Sequence, residues 1–255
     1  MTKRQKFITS SVILSIGLMI VQLATFEWRY LAITLLSLMA AGFTLWSLRE
    51  ALGGIRYLTT MILPALFTAG VGLFYFLLPN TWLAVLPIAL LYGFGFYALL
   101  LTENIFSVSA IRTIQLFRAA HAVGFLLTLL TAFFLYDTVF SYKLHPWTNA
   151  IFVLLISLPL YFQGLWSIDL EEKISRRLIA FSVVLAIVSA ELALIISFIP
   201  LTIAMSSLFL TTIVYVALGL SQAHFQGRLF RRTVYEYLAV GAIVLLVMIL
   251  TINWG

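Results

Sequence analysis

Nine apolar runs, most about 18 or more residues long, follow one another almost without pause along this chain. A bilayer core of about 30 Å is crossed by about 20 helical residues. No water is available there to satisfy a bare backbone, so each run must close its own hydrogen bonds as a helix. The expected fold is therefore all-α, a polytopic transmembrane helix bundle forming one integral membrane domain over residues 1–255. The runs place spans at roughly 7–26, 30–48, 58–79, 82–102, 119–136, 149–168, 178–199, 202–223 and 237–254.

The tightest reversals are FEWRY, PNT and IPLT, each with a turn former, a charge or both. IPLT needs an argument, because Pro200 could instead kink one long helix. An unbroken helix from Leu178 to Ala223 would be about 69 Å long, more than twice a bilayer core. A turn is nearly forced.

Charged residues make up 9% of the chain, against roughly a quarter in soluble domains. The net charge of +6 is spread between apolar runs, so it marks topology and is no nucleic-acid footprint. There is no cysteine, which excludes disulfides, thiol catalysis and cysteine-held metals. MTKRQK resembles the basic start of a signal peptide, but its apolar run of about 20 residues is too long, so it reads as a retained first span. No phosphate-binding loop, dinucleotide fingerprint or H-E-x-x-H is present. YGFGFY (92–97) falls inside a span and reads as a packing surface.

Lysine and arginine set the orientation. With the N-terminus cytoplasmic, thirteen of the fifteen basic residues fall inside, and only Arg29 and Lys143 fall outside. Trp28, Trp82, Trp147 and Trp254 then lie at outer ends of spans and Trp46 and Trp166 at inner ends, the interfacial levels an indole prefers. The C-terminus is then expected outside.

Few polar residues remain to be explained. Glu191, in SAELALI, is the one acid well inside a predicted span. A charge near the bilayer centre costs roughly 2.5–3.5 kcal/mol, so Glu191 is expected to face the bundle, as a proton or cation site or as a neutral acid bonded across helices. Small residues (Ser182, Ala186, Ser189, Ala190, Ala193 and Ser197) lie around it and suit close helix approach. The stretch 102–121 carries Glu103, Asn104, Ser107, Arg112, Gln115, Arg118 and His121 within about half a helical circle. It reads as an interfacial amphipathic helix over about 103–118, between spans four and five. Its expected role is to anchor on anionic lipid phosphates through Arg112, Arg118, Gln115, Glu103 and His121. The alternative is a grip on a phosphorylated lipid, with Glu103 or His121 moving a proton.

Two further charged clusters, IDLEEKISRR (168–177) and RLFRRTVYE (228–236), contain i,i+4 pairs of opposite charge and read as solvated and orientation-setting. His121 and His224 could ligate a haem only if they faced each other. No cofactor, metal or catalytic set is read from the residues.

The stretch LTENIFSVSAIRTIQLFRAAHAVGFLLTLLTAFFLYDTVF resembles an uncharacterised polytopic membrane family of candidate-phyla bacteria with small genomes, and the likeness runs along most of the chain. The resemblance implies an inner-membrane protein without an assigned activity, and it brings no catalytic residues. The leading functional expectation is a non-enzymatic structural or partner-binding component of the cell envelope. It would contact the bilayer, anionic lipids of the cytoplasmic leaflet and a membrane protein partner. The alternatives are a secondary transporter or channel-like protein using Glu191, and an enzyme on a phosphorylated lipid at the cytoplasmic leaflet.

Overall fold

The structure, a computed structural model, describes residues 2–22, 28–50, 52–78, 82–107, 114–169 and 174–252. Among these residues there are nine helices and no strand: α1 (Lys3–Gln22), α2 (Arg29–Leu48), α3 (Arg56–Tyr75), α4 (Trp82–Ser107), α5 (Ile114–Ser141), α6 (Pro146–Asp169), α7 (Arg176–Ile196), α8 (Ile203–Phe225) and α9 (Arg231–Leu250). Each is long and apolar enough to cross a membrane. The expected all-helical architecture of nine spans is what is found.

The helix ends follow from local chemistry. Ser175 caps α7, its Oγ accepting from the Leu178 amide at 3.2 Å. Thr202 caps α8 in the same way from the Met205 amide at 3.3 Å. Each satisfies one of the amides that a helix start leaves bare. IPLT is thus a turn, with Pro200 outside both helices. The PNT reversal lies outside the described residues.

The surface helix expected over 103–118 is the one correction to the element map. Residues 103–107 form the last turn of α4, and 114–118 open α5. Residues 108–113, with Arg112, lie outside the described residues. The helices have 26 and 28 residues; at this end α4 takes up the buried Glu103 and Ser107, and α5 the exposed Gln115 and Arg118.

The chain divides into two compact units, residues 1–131 and 132–255, with the boundary inside α5. In the first, α1 packs on α2 and α4, α2 on α3, and α3 on α4, which closes a four-helix ring. YGFGFY is its packing surface, as its glycines required. A Cβ at Gly93 would collide with Ser15 Oγ of α1, and one at Gly95 would lie 2.8 Å from the Phe67 ring of α3. Tyr92 stacks on Phe67, centroids 5.7 Å apart, and shares a 2.9 Å hydrogen bond with Thr68. Small and aromatic residues at such contacts supply the dispersion that replaces a hydrophobic driving force between membrane helices.

At the basic end of this unit Lys6 Nζ donates to Glu50 Oε1 at 3.1 Å, and Lys3 Nζ lies 3.8 Å from Oε2. The Lys6 hydrogen bond and charge hold the Glu50 carboxyl below its ordinary range. Its contribution is therefore present at neutral pH and is lost as pH falls through that lowered value. The thermal midpoint of Glu50→Gln is expected to lie slightly below the parent's at neutral pH. Midpoints measured across an acid titration are expected to converge below the usual glutamate range.

In the second unit α6 packs on α7 and α8, α7 on α8, and α8 on α9. Polar cross-links hold the antiparallel α6–α7 pair at two levels. Tyr161 OH meets Ser189 Oγ at 2.9 Å, and Asn149 Nδ2 donates to Ser197 Oγ at 3.2 Å. Tyr136 of α5 meets Ser157 of α6 at 2.7 Å, and Ser207 of α8 donates to Asp137 of α5 at 2.9 Å. Trp28, Trp46 and Trp147 are exposed, as interfacial indoles should be. Trp166 stays at the end of α6, the level expected of it, but it is buried against protein in the second unit. It lies where the end of α6 is covered by neighbours from Gln163 to Ser167. The side chains of Trp82 and Trp254 lie outside the described residues.

Candidate functional site

The polar residues expected on one helix face are separated by the fold. In the first unit, Glu103 of α4 is completely buried, and Phe106 and Ser107 beside it are 2% and 1% exposed. Ser107 Oγ donates to the Glu103 carbonyl at 2.7 Å, a back-bond within the last turn of α4. Arg56, the first residue of α3, reaches across and donates from Nη1 to the Ser107 carbonyl at 3.4 Å. That carbonyl belongs to the last turn of α4, where a cation also complements the helix dipole.

His121 of α5 closes the cluster through aromatic contacts. Its ring lies 4.3 Å from Phe117, edge to face, and 5.1 Å from Phe106. Gly124 permits this approach: a Cβ there would lie 3.2 Å from Thr102 and 3.6 Å from the Phe106 ring. Arg56, Glu103 and His121 each have a partner in the structure. Gln115 and Arg118 are exposed in the first turns of α5, Arg118 one turn before His121. Of the residues expected to grip a phosphate, then, Glu103 is buried and His121 is held against Phe106 and Phe117, while Gln115 and Arg118 are exposed. Sequence reasoning used Arg56 only as a topology marker. Nothing in its local sequence sets it apart from the other basic residues, and only the packing of α3 on α4 shows its role.

A buried carboxyl, an imidazole and a guanidinium at one helix junction can pin three helices, or pass a proton between neighbours. Among the described residues no group of three or more His, Asp or Glu could hold a metal ion. His224, in the second unit, lies 2.6 Å through Nε2 from Arg177 Nη2, and that contact occupies the nitrogen a haem iron would need.

Glu191 is where the structure departs most from expectation. It is exposed, and it faces away from the packed interior. The buried stripe of α7 is Leu178, Ser182, Ala186, Ser189, Ala193 and Ile196. Ser189 and Ala193 are two residues from Glu191, about 200° around the helix, so the small residues that suit close packing lie on the opposite side. Around Glu191 the exposed side chains of α7 are apolar: Val184, Ile187, Val188 and Ile195. The residue lies about 22 Å from the start of the helix and about 8 Å from its end, and Phe198 and Ile199 continue the apolar run beyond it.

The family model for a protein of unknown function, DUF5656, matches residues 10–251. The chain belongs to this family. No curated protein and no solved structure matches it. The DUF5656 match takes in Arg56, Glu103, His121 and Glu191 and assigns a role to none of them.

Proposed function

We propose that this chain is a non-enzymatic, partner-binding protein of the plasma membrane, with its N-terminus cytoplasmic and its C-terminus outside. The orientation rests on the bias of lysine and arginine toward one set of loops. The function rests on one observation: Glu191 stands exposed on an apolar face of α7. A lipid-facing acid costs roughly 2.5–3.5 kcal/mol at the centre of a span, and less at the depth of Glu191, about 8 Å from the end of α7. A membrane helix from another polypeptide, carrying a hydrogen-bond donor or a cation at that depth, offsets the cost and gives the face a specific mate. A structural role within the chain does not account for Glu191, because its own neighbours turn small residues the other way.

Proton coupling at Glu191 draws less support from the same position, since a coupling group is expected to line the bundle interior or a wet cavity. A lipid-modifying site draws less support from the burial of Glu103 in α4, while Gln115 and Arg118 of α5 are exposed.

The test is purification of the full chain from its own membrane in a mild detergent, followed by native mass spectrometry. The parent is expected to carry a second polypeptide in fixed ratio. Glu191→Leu is expected to lose it while its thermal midpoint stays equal to or above the parent's, and Glu191→Gln to retain part of it. The proposal fails if the leucine variant keeps the same partner in the same ratio, or if the parent carries none.

A further inference from the structure

The first unit carries an open groove of about 530 Å³ between α1 and α4. Its walls are apolar along its length, with Ile8, Val12 and Ile16 on one side and Leu86, Leu90 and Phe94 on the other. Its floor lies where α1 and α4 come closest, at Ser15 and Gly93. Arg4 stands at one end. From Arg4 to Met19, the length of α1 that lines the groove is about 22 Å, enough to follow an extended chain through one leaflet, half of a core about 30 Å thick.

The charges around that end are not equivalent. Lys3 and Lys6 are drawn to Glu50. Among the described residues no carboxylate bridges Arg4, which is exposed and is the one charged residue in the groove wall. A single guanidinium at the mouth of a leaflet-deep apolar groove matches one kind of molecule: an acyl chain joined to an anionic head. Arginine is suited to the head because its planar fork can bind two phosphate oxygens at once.

We infer that the α1–α4 groove is a binding site for one anionic phospholipid of the leaflet on the N-terminal side, its acyl chain against Val12, Leu90 and Phe94 and its phosphate on Arg4. This site is separate from Glu191 and from the Glu103 cluster. It differs from the anionic-lipid contacts expected at 103–121, where Glu103 is buried.

The experiment uses the full chain in mild detergent, washed free of lipid, and titrated in native mass spectrometry with phosphatidylglycerol or phosphatidylcholine of identical acyl chains. One equivalent of phosphatidylglycerol is expected to be retained, and retained more strongly than phosphatidylcholine. Arg4→Gln is expected to lower phosphatidylglycerol retention about fivefold, the effect of one basic residue at an anionic surface, and to lower phosphatidylcholine retention less, because choline offsets the charge of its phosphate. Val12→Trp and Leu90→Trp, both at exposed positions in the groove wall, are expected to lower retention of both lipids. Inorganic phosphate is expected not to compete, because a headgroup without the chain lacks the groove contacts. Glu191→Leu is expected to bind phosphatidylglycerol as the parent does, so failure here is distinct from failure of the partner reading. Equal retention of the two lipids, unchanged retention by Arg4→Gln, displacement by free phosphate, or a polypeptide filling the groove would each overturn the inference.

Discussion

Glu103→Leu is expected to destabilise the protein by about 2–4 kcal/mol, the cost of removing a buried, partnered carboxyl and stranding its partner. Glu103 has no exposed surface. It shares the α3–α4–α5 junction with Arg56, which donates to the Ser107 carbonyl one turn further along α4, and with His121, held against Phe106 and Phe117. A leucine fills part of the space but offers no acceptor. Glu103→Gln keeps an acceptor and nearly the same shape, so its loss is expected to be smaller, about 1 kcal/mol. Arg118→Ala, on the exposed side of α5, is expected to stay within about 0.5 kcal/mol of the parent. Unfolding in mixed micelles of increasing SDS content measures all three. A leucine variant as stable as the parent would show that the carboxyl does not hold the junction and was buried for another reason.

The contrast between Glu103 and Glu191 shows what the sequence could and could not reveal. The spans were legible because a bilayer sets their length and backbone satisfaction sets their conformation. The IPLT turn was legible from helix length alone, and Thr202 supplies the cap. The two glycines of YGFGFY were legible as contact points, since only a missing Cβ admits Ser15 on one side and Phe67 on the other. What was not legible is which way each helix faces. In a soluble helix the apolar stripe marks the interior. Here the exposed and packed sides of α7 are both apolar, so the pattern that would aim Glu191 is missing. The remaining signal is the register of small residues. Ser182, Ala186, Ser189 and Ala193 form one stripe at three- and four-residue spacing, and Glu191 is out of phase with it. The surface helix over 103–118 failed for a related reason. Polar residues at a span end look amphipathic whether they meet water or a neighbouring helix, and Glu103 and His121 meet helices.

Gly219→Leu is expected to release α9 from α8. The contact between them is narrow. Tyr237 of α9 lies so close to Gly219 that a Cβ there would collide with its ring, and Tyr237 also packs on Tyr215, centroids 4.9 Å apart. One antiparallel step away, a Cβ at Gly241 would lie 3.3 Å from Val216. Met248 is the one buried residue of α9. Between membrane helices such close van der Waals contact is the main attraction, because the lipid is as apolar as the side chains it replaces. Overpacking costs typically 1–3 kcal/mol even where neighbours can relax, and the rigid Tyr237 ring has Tyr215 behind it. The chain has no cysteine, so α9 can be followed by cross-linking. Val216→Cys with Gly241→Cys is expected to oxidise to a disulfide in high yield, and adding Gly219→Leu to lower that yield about tenfold, with Gly219→Ala between the two. A second pair, Asn149→Cys with Ser197→Cys across α6 and α7, is expected to keep its yield, since that contact does not involve Gly219. Loss of both cross-links would mean that the second unit as a whole had failed to form. Retention of the first would mean that Tyr237 can move aside, and that something other than the glycine seam holds α9.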